Sequence, residues 1–294
     1  MKRLIIFIGT VLALASCNAI TTDFEQPDEG EVVEQTGPTK KFTFTVKGNF
    51  SSDLKTKASE YLYADGKQMT DLWVLDYMGG QLVQQIHQSN TDDDFGKPVM
   101  QLKYGDHHIY FVTSRGQTPT LNTTAKTITF AKVLDTFWKD YAVNVVSTSN
   151  GNRAVTMDRV VTRLKVTFTD AIPEGTATFA LTPTTWNYGI NYSTGEPCEA
   201  KASTAVVIDV PSNLIGNTGE TLNLFGFSSE TEWTTNVILA ARKSDSSVIG
   251  QATLENVPLK RNRSTEYSGP LFATGGEVGL TLNAEWLTST TGTW

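Results

Sequence analysis

Three histidines, His87, His107 and His108, are the first side chains to test for acid–base or metal chemistry. His107 and His108 are adjacent in a stretch that alternates as a strand, so they leave opposite faces and do not converge on one metal or substrate. A metal site needs several convergent ligands, and all three read as satisfied or solvated histidines. Asp92, Asp93 and Asp94 offer the oxygen ligands calcium takes. Lacking the spaced ligands and the glycine of a calcium loop, they read as a solvated turn. Cys198 has no histidine near it in sequence and reads as a small, semi-buried residue. Six tryptophans, Trp73, Trp138, Trp186, Trp233, Trp286 and Trp294, could present flat apolar faces to sugar rings. Aromatics dominate the burial of β cores, and Trp73, flanked by Leu72, Val74 and Leu75, reads as core. Trp233 and Trp294 are the candidates for glycan or partner contact. No nucleophile elbow, zinc-binding helix or phosphate-cradling glycine loop occurs. Carboxylate pairs of the glycosidase kind, about 5 to 9.5 Å apart, leave no mark in a sequence. The expectation is a protein that is not an enzyme and holds no cofactor and no metal.

The amino terminus carries the strongest signal. Lys2 and Arg3 precede an apolar run from Leu4 to Leu14, followed by Leu14-Ala15-Ser16-Cys17. A short positive region, an apolar core and small residues make a secretory signal, and a cysteine directly after the cleavage point, here between Ser16 and Cys17, makes it a lipoprotein signal. The run is too short to span a bilayer, which takes roughly 20 residues. Residues 1–16 are thus expected to be removed and Cys17 to be acylated, and two or more chains hold a protein stably on a membrane. Residues 17–39 form a tether: Asp23, Glu25, Asp28, Glu29, Glu31 and Glu34 stand there without a basic residue until Lys40. Such a stretch cannot bury enough apolar area to offset its ordering entropy, and its charges extend it.

After Lys40 the pattern alternates. Phe42, Phe44 and Val46 point one way and Thr43, Thr45 and Lys47 the other, which is a strand with one buried face. The same grammar recurs at residues 71–77, 81–86, 108–113, 127–130, 160–169, 178–181, 205–210, 221–227, 236–241, 248–254, 265–271 and 278–286, separated by Gly, Asn, Asp, Ser and Pro clusters. Val133 to Asp140 is the one helical candidate, with Val133, Phe137 and Trp138 at helical spacing. Many short strands with regular turns spell β-sandwiches, so the fold class is all-β. The turn-rich Ser149-Asn150-Gly151-Asn152 marks a boundary between an amino-terminal sandwich, residues 40–150, and a carboxy-terminal one, residues 151–294. A net charge of −7 argues against a nucleic-acid partner. With only two cysteines, one of them Cys17, burial and not a disulfide must hold the fold.

Four strings carry a resemblance: Gly105-Asp106-His107-His108-Ile109-Tyr110-Phe111-Val112, Asp135-Thr136-Phe137-Trp138, Arg159-Val160-Val161-Thr162-Arg163-Leu164-Lys165-Val166, and Asn256 to Thr265. In this order behind a lipoprotein signal, the chain resembles the fimbrillin-like lipoproteins of Bacteroidales. The resemblance implies two tandem transthyretin-like Greek-key β-sandwiches built into pili at the outer membrane, as stalk, tip or membrane-retained anchor. It implies assembly by strand donation, in which a strand from one subunit fills the groove of another. It also implies that an arginine-directed protease removes the first strand of stalk subunits, here the strand bearing Phe42, Phe44 and Val46. No arginine occurs between Arg3 and Arg115, leaving only lysines such as Lys55 and Lys57 after that strand. A chain that keeps its lipid and first strand fits an anchor or accessory subunit. Its partners would be other fimbrial subunits and, through the lipid, the membrane, with host or glycan ligands as further candidates. The alternative is a surface glycan-binding lipoprotein. Val278, Leu280, Leu282 and Ala284 alternate in the last strand, a pattern that suits a donated and a closing strand equally, with completion of its own sheet as the preferred reading.

Overall fold

The computed structural model describes residues 37–48, 69–115, 119–202, 204–272 and 281–283. Cys17, Ser16, the tether before Gly37, Lys55, Lys57, Trp286 and Trp294 lie outside these residues. The described chain is all-β, with one 3-10 turn over Ser212–Leu214 and no α-helix among the described residues.

A seven-stranded sheet forms from β1 (Thr39–Gly48), β2 (Asp71–Met78), β3 (Gln81–Ser89), β4 (Val99–Lys103), β5 (Gly105–Ser114), β8 (Thr136–Val145) and β9 (Asn152–Arg159), in the order β3-β2-β5-β8-β9-β1-β4. β9 meets β8 only at Phe137↔Arg159 and Trp138↔Asp158. There the sheet folds over, so that β4-β1-β9 faces β3-β2-β5-β8. Between these layers Phe42, Phe44, Val46, Leu72, Val74, Met100, Leu102, Ile109, Phe111, Phe137, Val155 and Met157 form one apolar cluster.

The second half repeats the plan with separate layers. β10 (Val161–Phe168), β15 (Thr221–Phe227), β18 (Ser264–Gly269) and β19 (Thr281–Asn283) pair in the order β15-β10-β18-β19, opposite β14-β11-β16-β17, built from β11 (Thr178–Pro183), β14 (Val206–Asp209), β16 (Trp233–Arg242) and β17 (Val248–Leu259). Phe168 of β10 stacks on Phe179 of β11 at 4.7 Å and joins the two layers.

A fourth sheet draws on both halves. The short β6 (Thr120–Asn122) and β7 (Thr127–Thr129) pair on with β12 (Thr185–Asn191) and β13 (Glu196–Ala202) in the order β13-β12-β7-β6. Its inner residues, Ile128, Trp186, Tyr188 and Ile190, share one cluster with Trp73, Leu75, Tyr77, Tyr110 and Val112 of the first half and with Leu164, Val166 and Phe179 of the second. The layer β2-β5-β8 is therefore covered on both faces. Leu72 and Val74 turn to one core, Trp73 and Leu75 to the other, which is why this run is apolar without a break.

Two expectations change. Residues 133–140 are not helical: Phe137 enters the first cluster while Trp138 packs against the second, so β8 begins with both faces covered and loses its alternation. The turn Ser149-Asn150-Gly151-Asn152, expected to divide the chain, connects β8 to β9 inside the first sheet, and the passage to the second set of layers falls at Val160. The final strand, expected over 278–286, is described over Thr281–Asn283, where it pairs antiparallel with β18.

Candidate functional site

β1 is the inner strand of its layer. It runs antiparallel to β4, from Thr39↔Lys103 to Thr43↔Val99, and parallel to β9, from Thr43↔Asn152 to Gly48↔Met157. Backbone bonds from Thr43 N to Gly151 O (2.7 Å), Phe44 N to Pro98 O (3.0 Å) and Val46 N to Gly96 O (2.9 Å) extend the ladder on both sides. Phe42 and Phe44 have no exposed surface and Val46 has 5%. The Phe44 ring reaches across the sandwich, edge-on to Phe111 at 5.3 Å and to Tyr141 at 5.7 Å. Gly151 permits the close turn beside β1, since a Cβ there would sit 2.3 Å from Lys41 O. Without β1, β4 and β9 would each present an unpaired edge above an apolar groove, the arrangement that accepts a donated strand.

Three of the four strings that carry the resemblance meet where the halves join. Arg159, the last residue of β9, makes a two-pronged ion pair with Asp135, Nε–Oδ1 2.7 Å and Nη2–Oδ2 3.1 Å, and its Nη1 donates to Asn262 Oδ1 at 3.1 Å. Planar guanidinium and carboxylate match geometrically, and the Asp135 side chain is 1% exposed. The Phe137 ring lies under the Arg159 guanidinium at 4.8 Å. The turn after β17 is held in place as Asn262 N donates to Val161 O (2.9 Å) and Arg261 Nε to Ser228 O (2.9 Å), with Arg261 Nη2 bonded to Gly195 O. Trp138 Nε1 donates to Tyr192 O at 2.7 Å, and its ring covers Gly195, whose φ of +74° and lack of a Cβ admit it. The Tyr77 and Tyr192 hydroxyls meet at 2.7 Å, and Tyr77 Oη also donates to Thr123 O at 3.0 Å.

The fourth string contributes a buried pair. His107 Nδ1 faces Asp76 Oδ1 at 2.8 Å and Nε2 faces Lys103 O at 2.8 Å, with both side chains fully buried. Both ring nitrogens address acceptors, so Nε2 carries a hydrogen and the second proton is shared with the carboxyl. Burial pulls the His107 pKa down, but the bond and charge of Asp76 and the Lys103 carbonyl outweigh it and leave it raised. Burial also raises Asp76, more than His107 lowers it. The pair pins the passage from β4 to β5, the point where the chain changes layers.

The other sequence candidates do not converge. His87 stacks on Trp73 at 5.1 Å and pairs with Asp71 at 2.9 Å, and His108 faces Asp140 at 3.2 Å in solvent. Asp92 caps its own turn through Ser89 N at 2.7 Å. No group of three or more His, Cys, Asp or Glu suited to a metal occurs among the described residues. Trp233 is not the exposed platform expected. It opens β16, pairs with Leu259, lies 6.2 Å from Trp186 and donates to Ser228 Oγ at 2.9 Å, because the polar Glu230-Thr231-Glu232 turn ends where the strand begins. Cys198 is half-buried, and burial followed by the Glu199 charge pushes its pKa up to about 11.

Curated proteins give no match to this chain. Among solved structures, a candidate adhesin from Bacteroides ovatus superposes with a TM-score of 0.50 at 12% identity, over 85% of this chain and 96% of that one. A candidate polysaccharide-binding protein from Bacteroides thetaiotaomicron gives 0.49 at 8% identity, over 84% and 96%. The fimbrial anchor protein Mfa2 from Porphyromonas gingivalis gives 0.43 at 8%, over 85% and 99%. The first of these likenesses is one of fold. The sequence profile of a family of unknown function, DUF6562, matches residues 107–291, more than half of the chain, and the chain therefore belongs to the DUF6562 family.

Proposed function

We propose that the protein is a lipid-anchored fimbrial subunit of the anchor or accessory type, acting by contact with other fimbrial subunits at the outer surface and not by turnover. In this reading Cys17 is acylated, residues 17–39 are a tether, and two sandwiches follow, the first ending at Arg159 and the second beginning at Val161. The observation that carries it is the place of β1: Phe42, Phe44 and Val46 fill their own groove between β4 and β9. A subunit that keeps this strand has no vacant groove in its first half, so it does not extend a stalk from that side. The absence of arginine between Arg3 and Arg115 agrees with retention of the strand. The fold shared with a candidate adhesin supports a surface role.

Two measurements test this. Radiolabelled palmitate and the mass of the mature form should show an acylated Cys17; a mature form starting after Lys55 or Lys57 would instead make it a stalk unit. Deleting the gene should shed appendages into the medium or alter their number or length. Appendages unchanged in length, number and attachment would refute the role.

A further inference from the structure

Each half pairs an early strand with a late one in parallel, and the chain enters and leaves each pair at opposite ends. In the first half β1 and β9 are matched over six positions, from Thr43↔Asn152 to Gly48↔Met157. In the second β10 and β18 are matched over six, from Arg163↔Ser264 to Phe168↔Gly269. The amino-terminal segment enters β1 at Thr39, the end away from the joint. β9 leaves at Arg159, at the joint, and after Val160 becomes β10, so the late strand of one pair is continuous with the early strand of the next.

We propose that the protein is a tension-bearing link in which these pairs act as two shear clamps in series. A pull on the segment before Thr39, against a load on the chain after Gly269, draws β1 and β9 in opposite directions along their length, and draws β10 against β18 in the same sense. The hydrogen bonds of a parallel pair are slanted but evenly spaced between the two strands, so a pull along the strands loads all the bonds of a pair together and none can open first. Both early strands are inner strands, β1 between β9 and β4 and β10 between β18 and β15, so each is also held on its second side. Phe42, Phe44 and Val46 would have to leave the core before β1 could slide. At the exits, the Arg159–Asp135 pair holds the end of β9, and the Asp170 carboxylate accepts from Leu271 N (3.0 Å) and Phe272 N (2.6 Å) just beyond β18.

The direction of load rests on the tether reading, but the test does not need the lipid. Single molecules of the unacylated chain from Cys17 to Trp294, with Cys198→Ser, are pulled through the Cys17 thiol and a second thiol. With that thiol at Pro270→Cys, both pairs are sheared. With it at Tyr104→Cys, next after Lys103, which is opposite Thr39 in the ladder, β1 is peeled from β4 one bond at a time. Forced unfolding reads the unfolding rate, and the rupture force should be about twofold or more higher in the first geometry. Equal forces, or a weaker first geometry, overturn the proposal. Each variant is first required to melt as the parent does, and the Tyr104→Cys pull replaced by one at Lys103→Cys, the residue opposite Thr39, if it does not.

Discussion

The two halves of the molecule share one strand order. β4-β1-β9 over β3-β2-β5-β8 corresponds to β15-β10-β18 over β14-β11-β16-β17, each with an inner early strand antiparallel to one neighbour and parallel to the other. They differ in how they close. In the first half β9 crosses onto β8 and fuses the layers into one sheet, whereas in the second β18 carries β19 and the layers stay apart. They differ also in what covers them. The first half keeps a private core around Phe44, while the core around Leu164 continues through the shared sheet to Trp73 and Tyr110. Topology alone thus does not determine independence; the location of the apolar cluster does.

The largest expected effects test that difference. Phe44→Ala empties the private core and should cost about 3–5 kcal/mol, and Leu164→Ala about 2–5 kcal/mol. In calorimetry both should shift one common transition, since the shared sheet couples the halves; a Phe44→Ala variant that splits into two transitions would break the comparison. Arg159→Ala strands the buried Asp135 carboxylate and should cost about 3–5 kcal/mol, readable in urea denaturation. Asp76→Ala should cost a similar amount, about 3–5 kcal/mol, by orphaning His107. Asp76→Asn should be far milder, about 0.5–1.5 kcal/mol, because its amide can donate to Nδ1 while Nε2–H keeps the Lys103 carbonyl.

The same pair sets a pH dependence. His107 stays protonated in the folded chain at pH values where the unfolded chain, near pKa 6.5, has released its proton. The folded state thus binds more protons and stability falls as pH rises from about 6.5 through the folded His107 value; the raised Asp76 acts in the same sense but from its ordinary value near 3.8 upward. Melting temperature against pH should slope downward there for the natural chain and lie flatter for Asp76→Asn. Between the two Asp76 variants in size lies Tyr77→Phe, which removes hydroxyl bonds to Tyr192 and Thr123 and should cost about 1–3 kcal/mol.

How much of this was legible follows from which faces are wet. Phe42, Phe44 and Val46 alternate with exposed Lys41, Thr45 and Lys47, so β1 announces itself. β8 does not, because its first residues face two cores, and neither does β13, most of whose residues are exposed. β9 and β12 did carry a signal, Val155 with Met157 and Trp186-x-Tyr188-x-Ile190, which the Asn and Gly around them obscured. The joint was illegible for another reason. Asp135 and Arg159 are 24 positions apart and Arg159 and Asn262 are 103 apart; only the strand registers bring them together. Likewise nothing in the three-residue β6 and β7 foretells that they pair with a ribbon beginning at Thr185.

That last pairing dictates an order of maturation. During synthesis the amino-terminal residues emerge first, yet the outer wall over Trp73, Tyr110 and Val112 needs Trp186, Tyr188 and Ile190, which arrive more than a hundred residues after Trp73. Until then the newly made half displays a greasy flank, the kind of transient surface that invites aggregation or capture by a chaperone. A chain truncated before Thr185 should thus be retained by chaperones even though every strand of its first seven-stranded sheet has already been delivered.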